Sequence, residues 1–479
     1  MGESFMKWET VIGLEVHAQL KTQSKLFSGS ANGHSVTPNS QTSFIDAGFP
    51  GVLPVVNESA IILAIRFGLA IDAQINNLSF FERKNYFYPD LPKGYQISQY
   101  QRPLISNGHL EINLDNVKKD IIITRAHLEE DAGKSVHNIN NNSGIDFNRS
   151  GIPLLEIVTS PCMHSAAEAI AYLKNLHQLV RFIDICDGNM QEGSFRCDVN
   201  LSLRPIGESK LGIRTELKNL NSFRFIEKAI LYEEKRHHEI LDRGGELHQE
   251  TRLFNPDTEA TYVMRSKENE NDYRYFPDPD LLPIVINKEI ISNIRNNMPP
   301  LPKEIKSQLE QQGATEDEIQ FLLSSPSHIN YFHAIKNQSH VEIKLILNWL
   351  RGSYSSALNA AHLNFDHILI APNVFAHFLN AIADQKINST IAKKIFAELL
   401  TGKINLDELI HENAENIITD DQIIPLIQSI LAKYPEQQSQ YLAGKEKLLA
   451  FFVGKVMQEL QGKADPVHIN DLFRKALKK

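Results

Sequence analysis

Between Thr10 and Leu20 the chain alternates strictly. Ile12, Leu14, Val16, Ala18 and Leu20 fall on one face of an extended strand, and Gly13, Glu15, His17 and Gln19 on the other. Glycine at 13 leaves the polar face bare one step before Glu15, so a ligand can approach the backbone there. The period returns from Phe195 to Arg204, where Phe195, Cys197, Val199, Leu201 and Leu203 oppose Arg196, Asp198, Asn200, Ser202 and Arg204. It returns again at 213–219, with Ile213, Thr215 and Leu217 opposite Arg214, Glu216 and Lys218. One such strand needs only an antiparallel sheet with a wet face. Three of them present a polar surface of both charge signs with few lysines, suited to a metal-bound phosphate: carboxylates take the cation, Arg and Lys the anion.

Other stretches carry the helical period. A helix is expected at 58–71, and another after Ser165, which forms a capping box with Glu168 ahead of Ile170, Leu173, Leu176, Val180 and Ile183. A third starts near Ser222 and stops at Gly244-Gly245; its Glu233, Glu234, His237 and His238 suit i,i+4 pairing better than a metal site. Strands are also expected at 120–128 and at 154–159, the latter carrying Glu156 among apolar neighbours. After the proline-rich linker Asn296 to Pro302 the strand pattern ends. Amphipathic helices are expected at 303–323, 328–352, 367–383, 390–400, 422–433, 445–461 and 466–478, with Thr401-Gly402-Lys403 between two groups. The fold expected is an α+β domain on a mixed or antiparallel sheet (1–295), an all-α domain (296–402) and a small all-α tail (403–479).

A chain of 479 residues exceeds one ordinary core. The first residues lack the apolar core of a signal peptide and no run reaches membrane-spanning length, so a cytoplasmic protein is expected. Cys162, Cys186 and Cys197 stand singly, which argues for buried thiols rather than a zinc or redox pair. A net charge of -9 excludes coating of nucleic acid by charge alone. The segment 441–479 differs: eight basic residues, among them Lys445, Lys455, Lys463 and Lys479, face four acids. It suits a polyanion, or a basic solvated helix face.

Two loops carry more chemistry than a connection requires. Arg83 to Tyr95 packs Lys84, Lys93, aromatics and prolines together, and Asp272 to Asp280 is a second aromatic, proline and acid loop. Glu129-Glu130-Asp131-Ala132-Gly133-Lys134-Ser135 ends like a phosphate loop, but Leu128 stands where the first glycine belongs and acids fill the cradle positions. Three acids at a strand end instead suit a hard cation, or a solvated turn.

The stretches Glu9 to His17, Arg83 to Ser98, His127 to Ser135, Asn148 to Val158, Met190 to Pro205, Thr215 to Phe223 and Asp272 to Pro283 resemble, segment by segment, the GatB family, the B subunits of bacterial aspartyl/glutamyl-tRNA amidotransferases. Leu442 to Leu477, with Phe452 to Met457 and Gly462 to Pro466, is similar to the family's YqeY-like tail.

The resemblance implies a cradle-shaped catalytic domain and a two-step reaction. ATP phosphorylates the side-chain carboxylate of misacylated Glu-tRNA(Gln) or Asp-tRNA(Asn), and ammonia displaces the phosphate. A GatA glutaminase subunit supplies the ammonia, a GatC subunit completes the heterotrimer, and the tail touches the tRNA. It places the catalytic residues at Glu15, His17, Glu130 and Asp198, and Mg2+ on these with Glu129 adjacent. Lys84, Arg149, Arg196, Arg214, Glu216 and Lys218 are assigned to the substrate acyl group, ATP or ammonia. His17 is an unusual Mg2+ ligand and is expected to act directly or through water. Many members hold zinc with cysteines in the segment matching 28–46; this chain has Ser28, Ser30, Ser43 and Asp46 there, and no zinc is expected. Two rival readings are a tRNA-binding scaffold without catalysis and a stand-alone ATP-dependent amide ligase.

Overall fold

The computed structural model describes residues 7–33, 35–139, 142–266, 270–402, 405–414, 420–460 and 466–477. The leading residues, Lys403, Lys463 with the rest of Gly462 to Asp465, and Lys478–Lys479 lie outside them. The chain forms two units, Met1–Ile305 and Lys306–Lys479.

The first unit contains sixteen strands among the described residues. They are β1 (Trp8–Gln19), β2 (Gln74–Ile75), β3 (Leu78–Ser79), β4 (Glu82–Asn85), β5 (Tyr95–Ser98), β6 (Ile105–Leu114), β7 (Val117–Glu130), β8 (Lys134–Ile139), β9 (Asn142–Asp146), β10 (Pro153–Thr159), β11 (Phe195–Pro205), β12 (Thr215–Lys218), β13 (Glu250–Asn255), β14 (Ala260–Ser266), β15 (Phe276–Pro277) and β16 (Ile284–Val285). Nine of them form one sheet in the order β14-β13-β12-β11-β1-β10-β7-β6-β2. The β12–β13 pair is parallel and the β1 pairs are antiparallel, so the sheet is mixed. With the helices that follow, this is an α+β domain.

The alternation read at the N terminus makes β1 the central strand. Ile12, Leu14, Val16, Ala18 and Leu20 are fully buried with Cys197, Val199, Leu201, Leu155 and Ile157. Helices α1 (Glu58–Ala70), α2 (Ala166–Phe182) and α3 (Phe223–Asp242) pack against the sheet, and α4 (Lys288–Asn296) packs on α1. Ser165 caps α2 by accepting from Glu168 N at 3.2 Å, but the Glu168 carboxylate accepts from His164 N at 2.7 Å, so the box is not reciprocal. Strand β7 runs to Glu130, two residues past the expected end, because Glu129 and Glu130 still pair with Leu154 and Pro153. Strand β12 begins at Thr215, which leaves Ile213 in the preceding loop and exposed.

Behind β12, α3 buries a polar network. Glu233 and His237 are fully buried; Thr215 Oγ1 lies 2.8 Å from His237 Nε2, and Arg252 Nε 2.9 Å from Glu233 Oε1. Burial first, then the charges of Arg236 and Arg252, push His237 down to about 3. The unfolded chain therefore binds a proton that the folded one refuses between about 6.5 and 3, and stability is lost as pH falls through that window. The loss from this residue reaches about 1.4 kcal/mol per pH unit. Urea unfolding of His237→Gln is expected to show a shallower decline from pH 6.5 to pH 4 than the parent chain; parallel declines would rule this account out.

Among the described residues the regular elements of the second unit are all helical. Two long expected helices are broken. Gly313, with φ +85°, separates Pro302–Gln311 from Glu316–Leu322, whose N terminus carries a reciprocal Thr315/Glu318 capping box. The span 328–352 divides into Pro326–Lys336 and Ile343–Trp349, the latter continuing through a π turn, Leu350–Tyr354. Helices Leu406–Ala414 and Pro435–Leu442 have no counterpart among the helices expected from the sequence. Ile423, Ile427, Phe452, Val456, Ile469 and Phe473 make a separate core near the C terminus.

Candidate active site

Strand register builds the site. Glu15 stands opposite Asp198 on β11, and His17 stands between Glu156 on β10 and Arg196 on β11. Glu156 in turn faces His127 on β7, and Asn200 faces Glu216 on β12. Paired residues share a sheet face, so five strands lay one polar floor opposite the apolar core. The floor lines a cavity of about 700 Å³.

Two carboxylate groupings occupy it. Glu15, Asp198 and Glu216 bring one oxygen each within 4.8 Å of one another; His17, Glu129 and Glu156 do the same with two oxygens and a ring nitrogen. Burial, followed by the charges of Glu156, Asp198 and Glu216, pushes Glu15 above the usual carboxylate range. Like charges this close favour an added cation, and an all-oxygen donor set matches Mg2+. The Lys218 ammonium pairs with Asp198 and lies 3.4 Å from Glu216.

The second grouping behaves differently. His17 Nε2 lies 3.4 Å from both Glu129 and Glu156. Burial would lower His17, but hydrogen bonds and charge from the two glutamates raise it to about 10. Burial likewise opposes a charged Glu156, yet His127, His17 and Lys84 hold it well below its ordinary value. The two carboxylate oxygens and the ring nitrogen could also hold a metal ion, and ligation through Nε2 requires that nitrogen to be unprotonated.

The remaining expected residues divide. Lys84, Arg196, Arg214, Glu216 and Lys218 line the cavity. Lys84 sits 4.9 Å from the Tyr273 ring; burial opposes its charge, but Tyr275, Glu129 and Glu156 keep it firmly protonated. Arg196 donates to Asp131 at 2.8 Å. Arg149 instead braces the turn, donating to the carbonyls of Ala132 at 3.0 Å and Gly133 at 2.7 Å. Glu130 points away from Glu129, as adjacent strand residues must. It pairs with Lys93 and accepts from Ile97 N at 2.9 Å, outside the cavity lining.

The sequence pattern assigns no role to Glu156, His127 or Arg125. Glu156 does carry a signal: a lone acid between buried Leu155 and Ile157 on a strand. Tyr86, Tyr88, Tyr100, Tyr273 and Tyr275 line the cavity together, four of them from the two aromatic loops. Tyr100 and Tyr275 stack at 4.3 Å, and Arg125 lies 5.7 Å from the Tyr100 ring.

The segment from Ser28 to Asp46 is tied together by side-chain hydrogen bonds and an ion pair. Asp46 accepts from Ser28 Oγ at 2.8 Å and Ser43 N at 2.8 Å, and pairs at 3.3 Å with Lys25, whose side chain is fully buried. Lys25 also donates to Phe147 O at 3.2 Å.

Residues 10–292 match the family described as the GatB/GatE catalytic domain, and residues 330–477 match the GatB domain. The B subunit of an aspartyl/glutamyl-tRNA(Asn/Gln) amidotransferase from Legionella pneumophila is 59% identical over 476 residues, covering 98% of this chain and 100% of its own length. The protein of the same name from Coxiella burnetii is 50% identical over 477 residues, covering 98% and 100%. With both regions matched and relatives aligned end to end, this chain belongs to the GatB family of amidotransferase B subunits.

Proposed function

We propose that the cavity activates and amidates the side chain of an amino acid carried on tRNA. The γ-phosphoryl group of ATP passes to the carboxylate of Glu-tRNA(Gln) or Asp-tRNA(Asn), and ammonia then displaces the phosphate. The observation that carries this reading is the meeting of two carboxylate groupings with Lys84, Arg125, Arg196, Arg214 and Lys218 in one cavity. A floor of both signs serves a reaction in which anionic phosphate, anionic carboxylate and a cation must be neighbours.

Glu15, Asp198 and Glu216 fit Mg2+, which would neutralise charge on the phosphate oxygens. Lys84, Arg214 and Lys218 hold the polyphosphate, and the tyrosine wall orients the substrates. His17 locks Glu129 and Glu156 in place. In the first step a substrate carboxylate oxygen bonds to the γ-phosphorus as the bond to ADP breaks. In the second, ammonia adds to the acyl carbon, and phosphate leaves with its electron pair and takes up the nitrogen proton. The ammonia comes from glutamine hydrolysed in a GatA partner, with GatC completing the heterotrimer. Residues 1–295 form the catalytic domain, 296–402 a helical linker domain and 403–479 a tail that contacts tRNA. Among the described residues no helix is long and apolar enough to cross a membrane.

Reconstitution tests this. The chain combined with GatA, GatC, misacylated tRNA, ATP and glutamine is expected to yield amidated aminoacyl-tRNA, ADP and phosphate. Omitting the chain should abolish ATP consumption; omitting GatA should leave amidation dependent on added ammonia. Undiminished ATP consumption without this chain would establish the scaffold reading. Amidation by the chain alone with glutamine would establish the stand-alone ligase.

A further inference from the structure

Three carboxylates sharing one small volume repel one another, and each has two oxygens and a free torsion. Something must decide which oxygen points at the shared centre. In the Glu15, Asp198 and Glu216 grouping each carboxylate has its own donor. Asn200 Nδ2 donates to Glu15 Oε1 at 2.9 Å, Thr251 Oγ1 donates to Glu216 Oε2 at 2.8 Å, and Lys218 donates to Asp198 Oδ2. Two of the three donors are neutral.

The backbone places them for this. Gly13, Asn200, Glu216 and Thr251 lie in one cross-strand row running over β1, β11, β12 and β13. Gly13 has no side chain opposite Asn200, so nothing at that position of β1 competes for the amide. The Oδ1 of Asn200 is buried without a partner among the described residues, while its NH2 is spent on Glu15. Thr251 is completely buried on a strand, where a valine of the same shape would serve packing as well. A cluster built only for stability would cancel its charge with more cations. Amide and hydroxyl donors fix the oxygens and leave the negative charge in place for a ligand.

We infer that Asn200 and Thr251 are positioning residues that orient Glu15 and Glu216 toward a common divalent cation. The inference rests on the proposed reading of this grouping as the cation site. Donors of this kind behind metal ligands set affinity by holding ligand orientation.

Mn2+ serves as the probe, with free ion followed by electron paramagnetic resonance on the full chain assembled with its partner subunits. Thr251→Val and Asn200→Leu are each expected to weaken Mn2+ binding about 10-fold or more. Thr251→Ser, which keeps the hydroxyl, should stay within about twofold of the parent. Glu15→Gln and Glu216→Gln should lose that Mn2+ altogether. If the two ligand variants bind Mn2+ like the parent, the cation-site reading itself fails. If they lose it while Thr251→Val and Asn200→Leu bind normally, or if Thr251→Ser binds as weakly as Thr251→Val, the positioning role is overturned. The two positions lie on different strands, so misfolding of one variant leaves the other to decide.

Discussion

Replacing Asp198 with asparagine is expected to lower the rate of ATP-dependent amidation about 10²–10³-fold, the scale of about 2.7–4 kcal/mol lost when one oriented electrostatic group leaves a water-poor site. Asp198 faces Glu15 across β1 and β11 and shares an oxygen cluster with Glu15 and Glu216. The asparagine keeps the size and removes the charge. It also releases Lys218, which pairs with Asp198. Glu15→Ala should fall in the same range for the same reason. Single-turnover formation of amidated aminoacyl-tRNA, with ADP release measured in parallel, reads both. A variant that makes amide at the parent rate would remove that residue from the site. Loss of amide with ADP release intact would confine its role to the ammonia step.

The largest stability effect is expected at Asp46, outside the cavity lining. Lys25 is fully buried, and burial, opposed by Asp46, already depresses its ammonium. Asp46→Ala removes the one carboxylate within ion-pair distance of Lys25 among the described residues, together with acceptors for Ser28 and Ser43 N. Breaking a buried pair from one side costs about 3–5 kcal/mol, because the surviving charge is stranded. A double replacement, Lys25→Met with Asp46→Ala, should recover much of that loss, since no charge then stays buried. Urea unfolding measures both. A single variant within about 0.5 kcal/mol of the parent, as for an ordinary surface change, would show that the pair does not clamp this loop.

Much of this site is legible in strand alternation. The polar parity of Glu15, His17, Arg196, Asp198, Glu216 and Lys218 follows from the two-residue period alone and reappears as one cavity floor. Glu130 is not separable from Glu129 as long as 129–131 counts as a turn. The strand continues because β10 supplies partners for both residues, and continuation sends the two side chains to opposite faces. Glu156 is visible as an acid among apolar residues, but its importance arises from standing between His17 and His127, on strands distant in sequence. The broken helices show the same limit. A 3.6-residue period survives Gly313, while that glycine's left-handed backbone ends the helix.

The sequence by itself determined the faces of the strands, the turn and cap residues, and, through motif resemblance, the family. These are local properties: the pleat period, the φ restriction of proline and the capping of helix ends need no distant partner. Tertiary structure alone decided which strands became neighbours and in what register, and hence which carboxylates gathered. Register is set by hydrogen-bonded pairing between segments separated in sequence by more than a hundred residues, such as Glu15 with Asp198 and His17 with Glu156. For that reason the floor's composition was local information, and its division into an all-oxygen grouping around Glu15 and a histidine-centred one around His17 was not.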